Sequence, residues 1–298
     1  MKEPVFAGAC TAIITPFRND GSVDYTAFSK QLELQITAGI DAICVCGTTG
    51  ESATLSFREH SELTRFCVRE TAGRCKIIAG TGSNNTQTAL QLSLAAQDDG
   101  ADAILLVTPY YNKTTQAGLI RHYTYLADRT SLPVILYNVP SRTGISFTAE
   151  TYGELSKHPS INGVKEASGN FSLLVDTMAL CGDDLNLWSG NDDQTVPMMA
   201  LGAKGVISVA SNLIPESMAA MAHLCLNGDF FSAAVLQKKY AKLIDVLFCE
   251  VNPIPIKAAL REIGLDSGVL RLPLCEISGK NRELLREEME KAGVPGIS

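Results

Sequence analysis

The stretch INGVKEASGN, residues 161–170, sets a lysine and a glutamate inside an apolar run. Burying an ammonium group is costly unless it is paired or gives up its proton. An ion pair between Lys165 and Glu166, or an exposed strand end, satisfies that rule without any function. A reactive amine satisfies it too, because burial favours the neutral form that attacks a carbonyl. Other residues able to do chemistry fall in short motifs: GTTGES (47–52), TPYYNK (108–113), YNVPSRTG (137–144), SGNDD (189–193) and SVASN (208–212). They supply hydroxyls, tyrosines, glycines and an arginine, and little acid beyond Glu51, Glu166, Asp192 and Asp193. Such a set suits amine chemistry better than glycoside hydrolysis, which needs two carboxylates facing each other. Each motif also has a plainer reading. GTTGES makes a turn and a helix cap, the paired tyrosines pack, and Arg142 sits in a surface ion pair.

What must position these residues is a repeated unit. The segments AGIDAICVCGT (38–48), DDGADAILLVTPY (98–110) and LGAKGVISVAS (201–211) each end a helical pattern at a glycine and then begin an apolar, β-rich run. Glycine suits a left-handed helix cap, and such a run suits a strand buried on both faces. Eight strands follow, at about 9–16, 42–48, 76–82, 103–109, 133–139, 161–167, 185–191 and 205–211, with amphipathic stretches between them. This α/β pattern predicts a (β/α)8 TIM barrel. An open doubly wound sheet is the alternative, but it usually carries a glycine-rich first turn, and ITPFRNDGS is not one. Helical patterns at 215–227, 229–249, 253–262 and 280–291 predict additional C-terminal helices. The expected organisation is a catalytic barrel over 1–225 and a helical extension over 226–298 packed on it. The motifs then fall at the C-terminal ends of the strands, where barrel active sites lie.

Composition narrows the function further. The chain has 298 residues, 46% hydrophobic and 19% charged, with a net charge of −7. That affords a large core and argues against a nucleic-acid surface. No run is long enough for a membrane span, and the N-terminus lacks the apolar stretch of a signal peptide. The nine cysteines form no CxxC pair and the four histidines lack ligand spacing, so the expectation is buried, reduced thiols, a cytoplasmic location and no metal.

In order and spacing, GTTGES, TPYYNK, YNVPSRTG and GVKEASGN resemble the dihydrodipicolinate synthase family, pyruvate-dependent class I aldolases and lyases. The resemblance extends to the late NPIPIKAAL and LRLPL. It implies that Lys165 forms a Schiff base with pyruvate and that the resulting enamine attacks L-aspartate 4-semialdehyde, with no cofactor. It implies that Tyr137 shuttles protons, with Thr49 as its hydrogen-bonding partner and Tyr111 entering the neighbouring subunit's site. Thr48 and Thr49 would hold the pyruvate carboxylate, Arg142 the semialdehyde carboxylate, and Gly190 and Ile207 would line the site through their main chain. A homo-oligomer follows from the role of Tyr111, and the family implies a tetramer built as a dimer of dimers.

Other aldolases of this kind, acting on N-acetylneuraminate or on 2-keto-3-deoxy sugar acids, share the lysine and the tyrosine. Arg142 favours a short acidic electrophile over a polyol chain. A non-catalytic binding protein would have lost Lys165, Tyr137 or the threonine pair. A phosphate-binding barrel would need a glycine-rich cradle, which SGNDDQT and SVASN do not make. Lysine-inhibited members bind lysine in a pocket corresponding to Ser52, Ala53, Phe57, His60, Asn84, Thr88 and Tyr110. Phe57 and Thr88 depart from the sensitive pattern, Thr88 replacing a glutamate that pairs with the ligand's ammonium group, so feedback by lysine is expected to be weak or absent.

Overall fold

The computed structural model describes residues 2–296. Eight parallel strands close into a barrel in sequential order. They are β1 (Gly8–Ala12), β2 (Ala42–Val45), β3 (Lys76–Gly80), β4 (Ala103–Val107), β5 (Val134–Asn138), β6 (Ile161–Glu166), β7 (Asn186–Ser189) and β8 (Gly205–Ser208). All eight expected strands are present, and most end earlier than their apolar runs. The last residues of each run turn out of the sheet into the loops that carry the motifs. β1, β2, β5, β7 and β8 are buried along their whole length, as parallel strands flanked by helices must be.

The helices that cover the barrel are α1 (Tyr25–Thr37), α2 (Phe57–Thr71), α3 (Thr86–Asp98), α4 (Gln116–Ala127), the single turn α5 (Pro140–Thr143), α6 (Ala149–Leu155), α7 (Phe171–Cys181), α8 (Thr195–Ala200) and α9 (Pro215–Leu226). Their starts are written in the sequence. Asp24, Asn85, Thr115, Thr148 and Asn170 each cap a helix by accepting from its first free amides. Ser56 and Glu59 form a full capping box on α2. Three helices follow, α10 (Phe230–Val246), α11 (Ile254–Glu262) and α12 (Gly279–Ala292), each within a few residues of its expected bounds.

Strand alternation divides the core in two. Val134, Leu136 and Val164 face the helices. Ile135, Tyr137, Trp188 and Ile207 fill the barrel. Phe6 stacks on Trp188 at 5.1 Å between ring centroids, closing the end away from the motifs.

The chain after α10 is fastened to the turn after β2. Lys257 is fully buried, and its Nζ donates to Glu51 Oε1 at 2.9 Å and to Thr15 O at 3.0 Å. The Arg271 amide donates to Glu51 Oε2 at 3.0 Å, its guanidinium donates to Thr54 O at 2.8 Å, and it pairs with Glu59. That arginine holds the Glu59 carboxyl down at about 2. Leaving either member of a buried charge pair alone is costly, so the pair fixes the turn firmly.

Candidate active site

Lys165 and Glu166 are neighbours on β6 and therefore point to opposite faces. The ion pair between them, the plainer reading of the sequence, does not form. The Glu166 carboxylate faces the helices, where it accepts from Asn138 Nδ2 at 3.0 and 3.1 Å, from Tyr152 Oη at 2.8 Å and from the Ser168 amide at 2.8 Å. Lys165 faces the barrel interior and is only 6% exposed. No carboxylate forms a salt bridge with it among the described residues. Tyr137 is its register partner on β5 and Trp188 its partner on β7. The Lys165 Nζ lies 4.5 Å from the centroid of the Tyr137 ring.

These two residues line a cavity of about 170 Å³ at the C-terminal end of the barrel, together with Thr48, Thr49, Arg142, Gly190 and Asn252. Drug-sized ligands occupy roughly 300–1,000 Å³, so this volume suits a ketoacid of a few carbons. Gly190 is required first by Ala167 and then by the lysine. A Cβ there would stand 2.7 Å from Ala167 Cβ and 3.1 Å from Lys165 Cε. Cys44 also lines the cavity. Burial pushes its thiol up to about 11, which keeps it in the protonated, weakly nucleophilic form.

The turn after β2 brings both threonines to the cavity. Glu51 N bonds back to Thr48 O at 3.1 Å, and Glu51 itself adopts a left-handed φ of 54°. Thr49 is buried, and its hydroxyl accepts from Asn252 Nδ2 at 3.0 Å. The expected bond from Thr49 to Tyr137 is not among the hydrogen bonds of the described residues. Thr48, half-buried, lines this cavity and a second one of about 500 Å³ beside it. Arg142 sits on α5 at the junction of the two cavities, and its Nη2 donates to Asn252 O at 3.1 Å.

Ile207 and Tyr111 do not line this cavity, and Tyr111 is expected to serve the neighbouring subunit's site instead. Ile207 is wholly buried in the barrel core, and Val209, just past β8, lines the cavity. Tyr111 is 92% exposed, with a left-handed φ of 66°, and does not line its own chain's cavity. Asp192, below the loop after β7, accepts from the Val209 and Ala210 amides at 3.0 Å each and so ties the ends of β7 and β8 together. Burial raises its carboxyl.

Asn252 is the residue that sequence reasoning missed. It lies between α10 and α11, outside any periodic pattern, and reaches Thr49 from 203 positions away. It opens the NPIPIKAAL stretch of the family resemblance, which gave it no role. Among the described residues no three His, Cys, Asp or Glu side chains group as a metal site. The cysteines are all free, but Cys249 and Cys275 are exposed rather than buried, since they lie in the helical extension's surface segments. No helix of the described residues is long and apolar enough to cross a membrane.

The model of the dihydrodipicolinate synthetase family matches residues 5–292. The chain belongs to that family. Within the dihydrodipicolinate synthetase family it is 47% identical over 290 residues to the 4-hydroxy-tetrahydrodipicolinate synthase of Alkaliphilus oremlandii, covering 97% of this chain and 100% of that one. The crystal structure of dihydrodipicolinate synthase from Aquifex aeolicus superposes with a TM-score of 0.96 at 43% identity, covering 98% and 100% of the two chains. The enzyme of Cyanidioschyzon merolae with lysine bound gives 0.94 at 40% identity, with coverage of 98% and 100%. The barrel and its added helices are thus those of the dihydrodipicolinate synthetase family over nearly the full chain.

Proposed function

We propose that this chain condenses pyruvate with L-aspartate 4-semialdehyde to give (4S)-4-hydroxy-2,3,4,5-tetrahydrodipicolinate, the activity its relatives are named for, in lysine and diaminopimelate biosynthesis. The observation that carries the reading is Lys165, buried without a carboxylate partner and set beside Tyr137 in a small cavity. The lysine amine attacks the pyruvate ketone and water leaves, giving an imine. Loss of a methyl proton gives an enamine. Its carbon bonds to the semialdehyde carbonyl, whose oxygen gains a proton. The amine of the adduct then attacks the imine carbon, displaces Lys165 and closes the ring. The lysine serves as electron sink, so the scheme calls for no cofactor.

In this scheme Tyr137 moves the protons. Thr49 accepts from Asn252 and makes no bond to Tyr137, so this reading gives Thr48 the bond to Tyr137, and Thr49, whose hydroxyl proton stays free, helps to hold the pyruvate carboxylate. Arg142 binds the semialdehyde carboxylate, Gly190 makes room for the lysine, and the main chain near Ile207 closes the wall. Turnover of pyruvate and aspartate semialdehyde in a coupled assay, beside cleavage of N-acetylneuraminate, tests the reading. Faster cleavage of the sugar acid would reject it. Free cysteines without a disulfide support a cytoplasmic location.

We further propose a homotetramer, a dimer of dimers, in which Tyr111 completes the partner's site. A large aromatic held outward by a left-handed backbone is costly without a contact to make. Exposed Phe57 and Val251 line the 500 Å³ cavity nearby. Lys165→Ala and Tyr111→Phe proteins, each inactive alone, should regain activity when mixed, because one site of each heterodimer carries neither change. Proven subunit exchange without recovery would reject the shared site.

That larger cavity is lined by Ser52, Ala53, Phe57, His60, Thr88 and Tyr110, though not by Asn84. Its carboxylate, Glu51, is already bonded to Lys257 and to the Arg271 amide. Glu59, the other nearby acid, is paired with Arg271. A lysine ammonium therefore finds no free carboxylate, and loss of such a pair costs about 3–5 kcal/mol. Titration of L-lysine into the assay should leave activity largely intact into the tens of millimolar. Half-inhibition below about 1 mM would overturn this.

A further inference from the structure

We infer that Asn252 is a positioning residue that turns the Thr49 hydroxyl into a proton donor aimed at the ketoacid carboxylate. The inference rests on the pyruvate reading above. A threonine hydroxyl has one proton and two lone pairs, whereas an amide nitrogen only donates. Asn252 Nδ2 lies 3.0 Å from Thr49 Oγ1, and both residues are buried. With one lone pair taken by that donor, the hydroxyl proton is left for another acceptor. Both residues line the 170 Å³ cavity, so that acceptor is what occupies the cavity. An anionic ligand gains from a donor there and is repelled by a lone pair.

The orientation of the amide decides the sign. Asn252 Oδ1 is buried without a partner. Turned over, the same amide would accept the Thr49 proton, leave its NH2 unpaired and present Thr49 to the cavity as an acceptor. An aspartate at this position can only accept, so it imposes that reversed state and adds a negative charge. The backbone of the same residue does a separate job: Asn252 O accepts from Arg142 Nη2 at 3.1 Å. Side-chain substitutions leave that carbonyl in place. Asn252 thus links the two substrate-binding groups, one through its side chain and one through its main chain, and the two links can be separated.

The test measures KM for pyruvate, KM for aspartate semialdehyde, kcat, and the pyruvate dependence of borohydride trapping at Lys165. Asn252→Ala should raise KM for pyruvate about tenfold, the scale of one hydrogen bond to a charged group. Asn252→Asp should raise it on the order of a hundredfold. KM for the semialdehyde should stay within about twofold in both. Thr49→Val should match Asn252→Ala, Thr49→Ser, which keeps the hydroxyl, should recover most of the pyruvate affinity lost in Thr49→Val, and the double variant Asn252→Ala/Thr49→Val should be no worse than Thr49→Val. Multiplying losses in the double variant, or pyruvate binding unchanged in Asn252→Asp, would overturn the inference. If the position-252 variants fail to fold, Thr49→Val and Thr49→Ser decide: equal pyruvate KM values for these two would also overturn it. Failure of the parent protein to trap pyruvate at all would instead sink the pyruvate reading.

Discussion

Replacing Lys165 by alanine should reduce turnover on the order of 10⁴-fold or more, the scale on which loss of a covalent nucleophile is felt. Lys165→Arg should be as inactive, because it keeps a cation but cannot form an imine. Neither change should cost the fold much. Lys165 has no ion pair to lose, and an unpaired buried amine contributes little to stability. In the parent protein, pyruvate and borohydride should leave a reduced three-carbon adduct on Lys165. Lys257 is the competing buried amine, but it is held by Glu51 and Thr15 O outside the lined cavity. An adduct mapped to Lys257 by mass spectrometry, or substantial activity in Lys165→Arg, would reject imine chemistry at Lys165.

Arg142→Ala should lower kcat/KM for aspartate semialdehyde roughly a hundredfold, as expected for loss of a charge-assisted contact of about 2–4 kcal/mol. Imine formation with pyruvate should be nearly untouched. Arg142 sits at the rim, on a one-turn helix between the two cavities, and its partner is a main-chain carbonyl that no charge holds in place. The guanidinium therefore keeps donors free for an incoming carboxylate. Arg142→Lys should recover only part of the loss, since a lysine cannot offer two parallel donors. Equal damage to both substrates would make Arg142 a structural residue.

The strands were legible because a parallel strand buried on both faces needs an unbroken apolar run, and these runs are short and bounded by glycine. The site was legible for a related reason. A barrel gathers the ends of its strands at one mouth, so Thr48, Tyr137, Arg142, Lys165 and Gly190 could be grouped from order alone. Strand alternation also separates Lys165 from Glu166, although the sequence alone leaves their pairing open. Asn252 was not legible, because a contact across 203 positions leaves no local pattern. Nor was the burial of Ile207, which depends on where β8 ends. The left-handed backbone of Tyr111 was not legible either, because no glycine marks it.

The fastening of the turn after β2 also has a meaning in time. Thr49 is made early and Asn252, its bonding partner, 203 residues later. At about 5–20 residues per second of synthesis, roughly 10–40 s separate them. Lys257 and Arg271, which grip Glu51 in the same turn, emerge later still. Over the last 87 residues of that stretch, from 165 to 252, the nascent chain already contains Lys165 but not the residues that brace the threonines opposite it. On the ribosome, then, Lys165 precedes its finished pocket, and the pocket is completed only as the last quarter of the chain arrives.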